Sequence, residues 1–136
     1  MKKLRLLVLI TALAVLAGCS FSFSTANITD AAMTTGVVDG KPADTVSSFP
    51  QRVETVYVYG ILNNAPDDTT VTFVWKYLTD PQPIDSISFN NEGQSGVYVF
   101  SVMEPGGMWP PGDYSVDIYI DEREEPDATV NFKLTP

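Results

Sequence analysis

The sequence predicts an all-β fold, an antiparallel β-sandwich of about seven strands. Three observations predict it. Apolar and polar residues alternate with a period of two through one run after another, the pattern of strands with one buried face. The runs are rich in Val, Ile, Thr, Tyr and Phe, whose branched or planar side chains suit a pleated surface. Clusters of Pro, Gly, Asn and Asp separate the runs at intervals of about 8 to 12 residues, as in sandwiches. Beyond residue 20 no stretch keeps a 3.6-residue period long enough to make a helix; the one weak candidate, 30–35, is too short.

The first expected strand lies near Ile28 to Thr34. Gly36, Gly40, Pro42 and Pro50 punctuate 36–50, which reads as a loop. The run 52–62 then sets Val56, Val58 and Leu62 against Tyr57, Tyr59 and Ile61. Asn63-Asn64-Ala65-Pro66-Asp67-Asp68 turns the chain, since Asn and Asp tolerate left-handed backbone and Pro presets a turn. Val71, Phe73, Trp75 and Tyr77 share one parity of 69–79, which Pro81 and Pro83 stop. Asp85, Ile87 and Phe89 oppose Ile84, Ser86 and Ser88 in the next run, and Asn91-Glu92-Gly93 reverses it. Val97 and Val99 oppose Tyr98, Phe100 and Val102 in 95–103. Pro105-Gly106-Gly107 and Pro110-Pro111-Gly112 bracket Met108 and Trp109. Tyr114, Val116, Ile118 and Ile120 line one face of the sixth run; Val130, Phe132 and Leu134 line one face of the last.

Seven short strands in a body near the usual ~100 residues point to a sandwich of immunoglobulin type. Two details agree. Trp75 stands mid-strand in the third run, where such sandwiches often bury a tryptophan. No cysteine pair flanks it, so its surroundings are expected to be apolar only. Gly112-Asp113-Tyr114-Ser115-Val116 resembles the tyrosine corner, whose hydroxyl bonds back to the chain where it crosses between sheets.

The first 20 residues differ from the rest. Lys2, Lys3 and Arg5 precede an apolar stretch from Leu6 to Ala17 interrupted only by Thr11, and then Leu16-Ala17-Gly18-Cys19. A positive start, a short apolar core and small residues before a cut describe a secretory signal peptide. The stretch is shorter than the ~20 residues of a transmembrane helix. Leu-Ala-Gly-Cys resembles, residue for residue, the lipobox of bacterial lipoproteins. That resemblance implies acylation of the Cys19 thiol, with a palmitate-type chain among those attached, and cleavage before it. The expected divisions are therefore a signal peptide at 1–18, a lipidated tether at 19–26 and a sandwich at 27–136. Ser20, in the position where Asp tends to retain lipoproteins in the inner membrane, implies the outer membrane in a host with two membranes. Loss of the three signal-peptide bases takes the formal charge from −9 to −12, so the acyl chains and not electrostatics would do the anchoring.

The body carries a second resemblance. Trp109-Pro110-Pro111-Gly112-Asp113-Tyr114-Ser115-Val116-Asp117-Ile118-Tyr119-Ile120-Asp121 looks like the C-terminal signature of small bacterial lipoproteins with an immunoglobulin-like domain. So does Leu62-Asn63-Asn64-Ala65-Pro66-Asp67 followed by Val71-Thr72-Phe73-Val74-Trp75. No catalytic or binding residues are assigned in that group, so the resemblance implies a fold and not a site.

Composition removes several function classes. With no His and one Cys, the chain lacks His-based acid–base catalysis, Ser-His-Asp and Cys-His nucleophiles, His-ligated zinc and any internal disulfide. Its acidity argues against nucleic acid. Neither Ser-x-x-Lys nor Gly-x-Ser-x-Gly occurs, and a small sandwich has little room for the cleft that paired carboxylates need. No enzymatic activity, cofactor or metal is expected. The acidic run Asp121-Glu122-Arg123-Glu124-Glu125-Pro126-Asp127 lacks the Asp-x-Asp-x-Asp-Gly order of a calcium loop and reads as a solvated turn, as does Asp67-Asp68.

Three aromatics are candidates for partner binding. Trp109, in its Pro/Gly loop, could seat a peptide or stack on a sugar, or else fold over the end of the core. Tyr57 and Tyr59 share one face of a strand with Ile61 and could form an aromatic strip, though Val56 and Val58 compete with them for the core. The expected function is a lipid-anchored envelope module that binds a protein or glycan; the alternative is an accessory subunit of an envelope or secretion assembly.

Overall fold

The structure is a computed structural model that describes residues 24–80 and 82–136. Cys19, the expected signal segment and the start of the expected tether lie outside the described residues.

Ten strands form, and among the described residues no helix does. They are β1 (Asn27–Thr34), β2 (Val37–Val38), β3 (Lys41–Pro42), β4 (Ser48–Pro50), β5 (Val56–Asn63), β6 (Thr70–Tyr77), β7 (Pro83–Asn90), β8 (Val97–Met103), β9 (Gly112–Ile120) and β10 (Ala128–Thr135). One sheet has the order β1-β5-β8, the facing sheet has β4-β10-β9-β6-β7, and β2 and β3 make a small hairpin. The seven expected runs are all strands, and the all-β sandwich stands.

The extra strands fall inside 36–50, which the sequence marks as a loop. Strand β4 pairs parallel with β10, Phe49 lying opposite Leu134, so the sandwich is not wholly antiparallel. Phe49 is the anchor: it is buried and meets the Phe132 ring edge-on at 6.0 Å. A three-residue strand ending in Pro is too short to show an alternating pattern. Strand β1 carries a bulge between Thr29 and Ala32, where Asp30 adopts φ 54°. An extra residue there twists the edge and interrupts pairing.

The core sits between the sheets. Val56, Val58 and Leu62 of β5 face Val71, Phe73 and Trp75 of β6, with β9 and β10 contributing Ile118, Ile120, Phe132 and Leu134. Gly60, on the same inward row of β5, leaves room for Ile28: a Cβ there would stand 2.6 Å from Ile28 Cγ2. Close packing leaves no slack for that overlap.

Trp75 is fully buried, as expected, but its surroundings are not wholly apolar. Its indole N–H donates to Ser101 Oγ of β8 at 3.0 Å, a bond that spans the two sheets. A buried indole N–H needs such a partner, and no disulfide is there to make the link. The tyrosine corner forms: Tyr114 Oη donates to the Pro110 carbonyl at 2.6 Å. The Tyr114 ring lies between Tyr77 at 4.8 Å and Trp109 and Phe132, both at 5.3 Å.

Of the expected tether, residues 24–26 lie against the body. Ala26 is buried, and the Ser24 carbonyl accepts from Arg123 Nη2 at 3.0 Å. The chain therefore enters at the β9–β10 turn. That pole also holds the 63–69 and 91–96 turns; the 35–47 excursion, the 104–111 loop and the end of β6 lie at the other.

Candidate functional site

The outer face of the three-stranded sheet is aromatic. Cross-strand pairing sets Tyr57 opposite Val102, Tyr59 opposite Phe100 and Ile61 opposite Tyr98. Tyr59 is at the centre of this cluster. It is only 6% exposed, lies 6.0 Å from the Tyr98 ring and 6.3 Å from Phe100, and shares a 2.7 Å hydrogen bond between its hydroxyl and Thr45 Oγ1. Tyr57 is half-buried at the rim, beside Val102, which is 46% exposed. The strip that alternation outlines on β5 is thus completed by β8, and its accessible part lies at the β8 side. Two strands that meet only through folding make it, so β5 alone could not disclose it.

Trp109 is half-buried. It stacks on Tyr114 and meets Trp75 edge-on at 6.4 Å, while its carbonyl accepts a long 3.4 Å bond from Gln51 Nε2. The ring caps the end of the core. The open residue of that loop is its neighbour Met108, 87% exposed, which the sequence reading passed over. An apolar residue between Gly107 and Trp109 carries no local signal of exposure.

The acidic turn is a fastening. Asp121 Oδ1 accepts the Thr70 N–H at 2.9 Å, and Asp127 accepts the Ile28 N–H at 2.5 Å and Arg123 Nη1 at 2.9 Å. These bonds tie the entry of the chain and the start of β6 to the β9–β10 turn. At mid-height on β9, Asp117 pairs with Lys76 and accepts from Thr129 Oγ1, and the Asp117 carboxylate holds the Lys76 ammonium pKa above its ordinary value.

The sheets are unequal, and this opens one side of the sandwich. In the five-stranded sheet, β7 continues the inner row of β6: Phe89 lies opposite Val71, Ile87 opposite Phe73 and Asp85 opposite Trp75. Among the described residues the three-stranded sheet ends at β8, and none of its strands lies over that row. Ile87 and Phe89 stay half-exposed although they belong to an inward face, and Phe89 stacks on Phe73 at 5.9 Å. A depression of about 360 Å³ there runs from Phe89 and Gln94 to Val97 and Phe100. A second, of about 270 Å³, shares Phe100 and continues past Ile87 and Ser101 to Tyr57, Val102 and Val37. A third depression, of about 580 Å³, is polar and separate, lined by Arg52, Glu54, Thr55, Glu104, Gly106 and Gly107.

No family model matches this chain, and no curated protein matches it. Solved structures do match. One is the β-glucosidase 3B of Thermotoga neapolitana in complex with glycerol, with a TM-score of 0.50 at 13% identity. The match covers 88% of this chain and 17% of that one. The chain therefore spans less than a fifth of that enzyme's length, and the likeness is one of fold. The protein belongs to the class of all-β sandwich domains, with a shape also found as part of a much larger glucosidase.

Proposed function

We propose that this protein is a lipid-anchored component of a bacterial cell envelope whose β-sandwich is a non-catalytic binding module. One observation carries the location: the sole cysteine of the chain, Cys19, follows Leu16-Ala17-Gly18 after a positive, apolar leader. The thiol is the acyl acceptor, and two or more chains on it hold a protein to a bilayer where one would not. Ser20 favours the outer membrane where the host has two. The binding role is supported by the half-open sandwich, whose β8 edge has no strand partner among the described residues and lies beside the aromatic strip of Tyr57, Tyr59, Tyr98 and Phe100. Sandwiches bind through edges and loops, and function resides in such surfaces and not in the fold.

The test is Cys19→Ala. The variant is expected to lose acylation and leave the membrane fraction, while mass spectrometry of the parent shows a diacylated Cys19 at its N-terminus. An unmodified leader on the parent, or a membrane-bound variant, overturns the location.

A second reading is an accessory subunit held permanently in an envelope assembly. It is favoured by the placement of the exposed large apolar residues Val37, Val38, Leu78, Ile84, Val102 and Met108, all in the half of the body away from Ser24. Crosslinking in intact cells separates the two readings. A stoichiometric partner recovered in every preparation supports the subunit; substoichiometric, exchangeable capture supports the module.

A further inference from the structure

We infer that the outer edge of β8 is a strand-acceptor site, and that its ligand is an extended segment of another protein with alternating apolar residues and one Lys or Arg. This rests on the binding-module reading and names its site and partner chemistry.

The four sheet edges differ in how they are guarded. Exposed edges template unwanted pairing, and proteins blunt them with bulges, prolines, charges or brevity. Strand β1 has the Asp30 bulge, and β4 has three residues ending in Pro50. Strand β7 begins at Pro83, carries Asp85, and has a register shift at its pairing with Trp75 and Lys76. Strand β8 has none of these. Val-Tyr-Val-Phe-Ser-Val-Met is seven residues long, uncharged, free of proline and in unbroken register with β5. Its other side has no strand partner among the described residues.

The opposite sheet shows what is missing. An added strand on β8 would stand over β7 at the spacing of packed sheets. Its inward side chains would cover Ile87 and Phe89, an inner row over which no strand lies among the described residues, and its outward ones would extend the Phe100 and Val102 strip. The backbone bonds supply affinity, and alternate side chains supply choice. Asp85 closes the same inner row, exposed and with no ion pair among the described residues. A ligand with a cation two positions beyond its apolar pair meets that carboxylate.

This charge pattern selects the occupant. A second copy offering its own β8 brings no cation, and Glu104 follows that strand directly. The Ser20-Phe21-Ser22-Phe23 stretch of the chain itself alternates but has no basic residue either.

The probe is an array of nine-residue peptides alternating Val and Thr, with Lys, Glu or Thr at the terminal inward position, plus versions with a central Pro. It is applied to the processed, full-length protein in detergent. Lys peptides are expected to bind, Pro to abolish binding, and Glu to weaken it by about tenfold. Asp85→Lys is expected to invert the Lys/Glu preference, and Val102→Lys, which charges the edge at an exposed position, to weaken every peptide. Amide exchange slows at the alternate amides of Val97–Met103 that point away from β5 when peptide binds.

The inference is overturned if no alternating peptide binds, if Asp85→Lys leaves the preference unchanged, or if binding leaves unprotected the alternate β8 amides that point away from β5. It is also overturned if those outward amides are already protected without peptide. A dimer by sedimentation would then identify a second copy, and a monomer the chain's own N-terminal stretch. Failure here with a diacylated Cys19 and an exchangeable partner in cells leaves the binding module standing and removes only this edge. An unmodified Cys19 removes the anchor and leaves the peptide result intact.

Discussion

Two side chains carry more of this fold than their size suggests: one ties the two sheets together and the other fixes the turn that leads into β9. Ser101 accepts the only hydrogen bond that the buried Trp75 indole makes. Ser101→Ala removes a single oxygen but leaves a buried N–H without a partner, a cost of about 1–3 kcal/mol. Urea unfolding is expected to show a lower midpoint with an unchanged slope. Tyr114 fixes the corner before β9 through Pro110, and Tyr114→Phe is expected to cost about 1 kcal/mol. Burial pushes the Tyr114 hydroxyl up to about 12, with a further push from Tyr77. A folded-state pKa above the unfolded value of 10.0 means the group contributes stability that is complete below pH 10.0. That contribution is lost as pH rises through about 12. Unfolding followed across that window should become easier in the parent. Tyr114→Phe should lack the part of the decline that belongs to this hydroxyl.

At the scale of elements, β1 and the 35–47 excursion are held by contacts that can be addressed singly. Gly60→Ala would press a methyl into Ile28, which branches close to the backbone and cannot swing away. The expected loss is about 1–3 kcal/mol, as for an overpacked core. Shortening Ile28 to Ala in the same chain should restore part of it, a coupling that a double-mutant cycle measures directly. The excursion is clasped by Asp44, whose carboxylate accepts from the Thr35 N–H at 2.8 Å, the Thr35 hydroxyl at 2.6 Å and the Thr34 hydroxyl at 2.8 Å. The Thr35 amide, then the two hydroxyls, hold the Asp44 pKa below the ordinary 3.8. A depressed carboxylate stabilises above its unfolded pKa, so the clasp is complete at neutral pH and opens only as pH falls through its lower folded value. Asp44→Asn is expected to speed amide exchange at Thr35 at neutral pH, with little change in the core strands. Unaltered exchange there would remove the clasp.

Across the whole molecule, the exposed apolar residues and most bases gather at one pole. The pole where the chain enters holds the carboxylates of the 121–127 turn with Asp67, Asp68 and Glu92, opposed there by Arg123. Lys41, Arg52, Lys76 and Lys133 lie toward the other pole, with the exposed apolar residues and among the carboxylates of Asp39, Asp44, Glu54, Asp80, Glu104 and Asp113. On the proposed anchor, the acidic pole would be the one nearest the bilayer, where anionic headgroups repel it and turn the apolar pole outward. Such a body repels itself, and screening relieves this. Its melting temperature is expected to rise as salt goes from about 0.01 M to about 0.15 M, over which the screening length shortens from about 30 to about 8 Å. A falling melting temperature would mean that attractive ion pairs outweigh the repulsion.

The limits of the sequence reading are visible in particular residues. Trp75 was legible as a buried strand residue because its parity is shared with Val71 and Phe73; its bond to Ser101 was not, because the two belong to different sheets. Tyr57 and Tyr59 were legible as one face of a strand. That Tyr59 would be covered by Thr45, Tyr98 and Phe100 while Tyr57 stayed at the rim depended on a loop and a neighbouring strand. Phe49 was missed because a strand of three residues has no period. By itself, then, the sequence determined the seven long strands, the alternation along them, the tyrosine corner and the turns between them, since alternation and turn chemistry act between residues a few positions apart. Only the tertiary structure decided which strands share a sheet, that β4 runs parallel to β10, and that one sheet stops at β8 while the other continues to β7. Pairing joins residues far apart in the chain through backbone groups that every residue carries, so no local pattern of side chains encodes it.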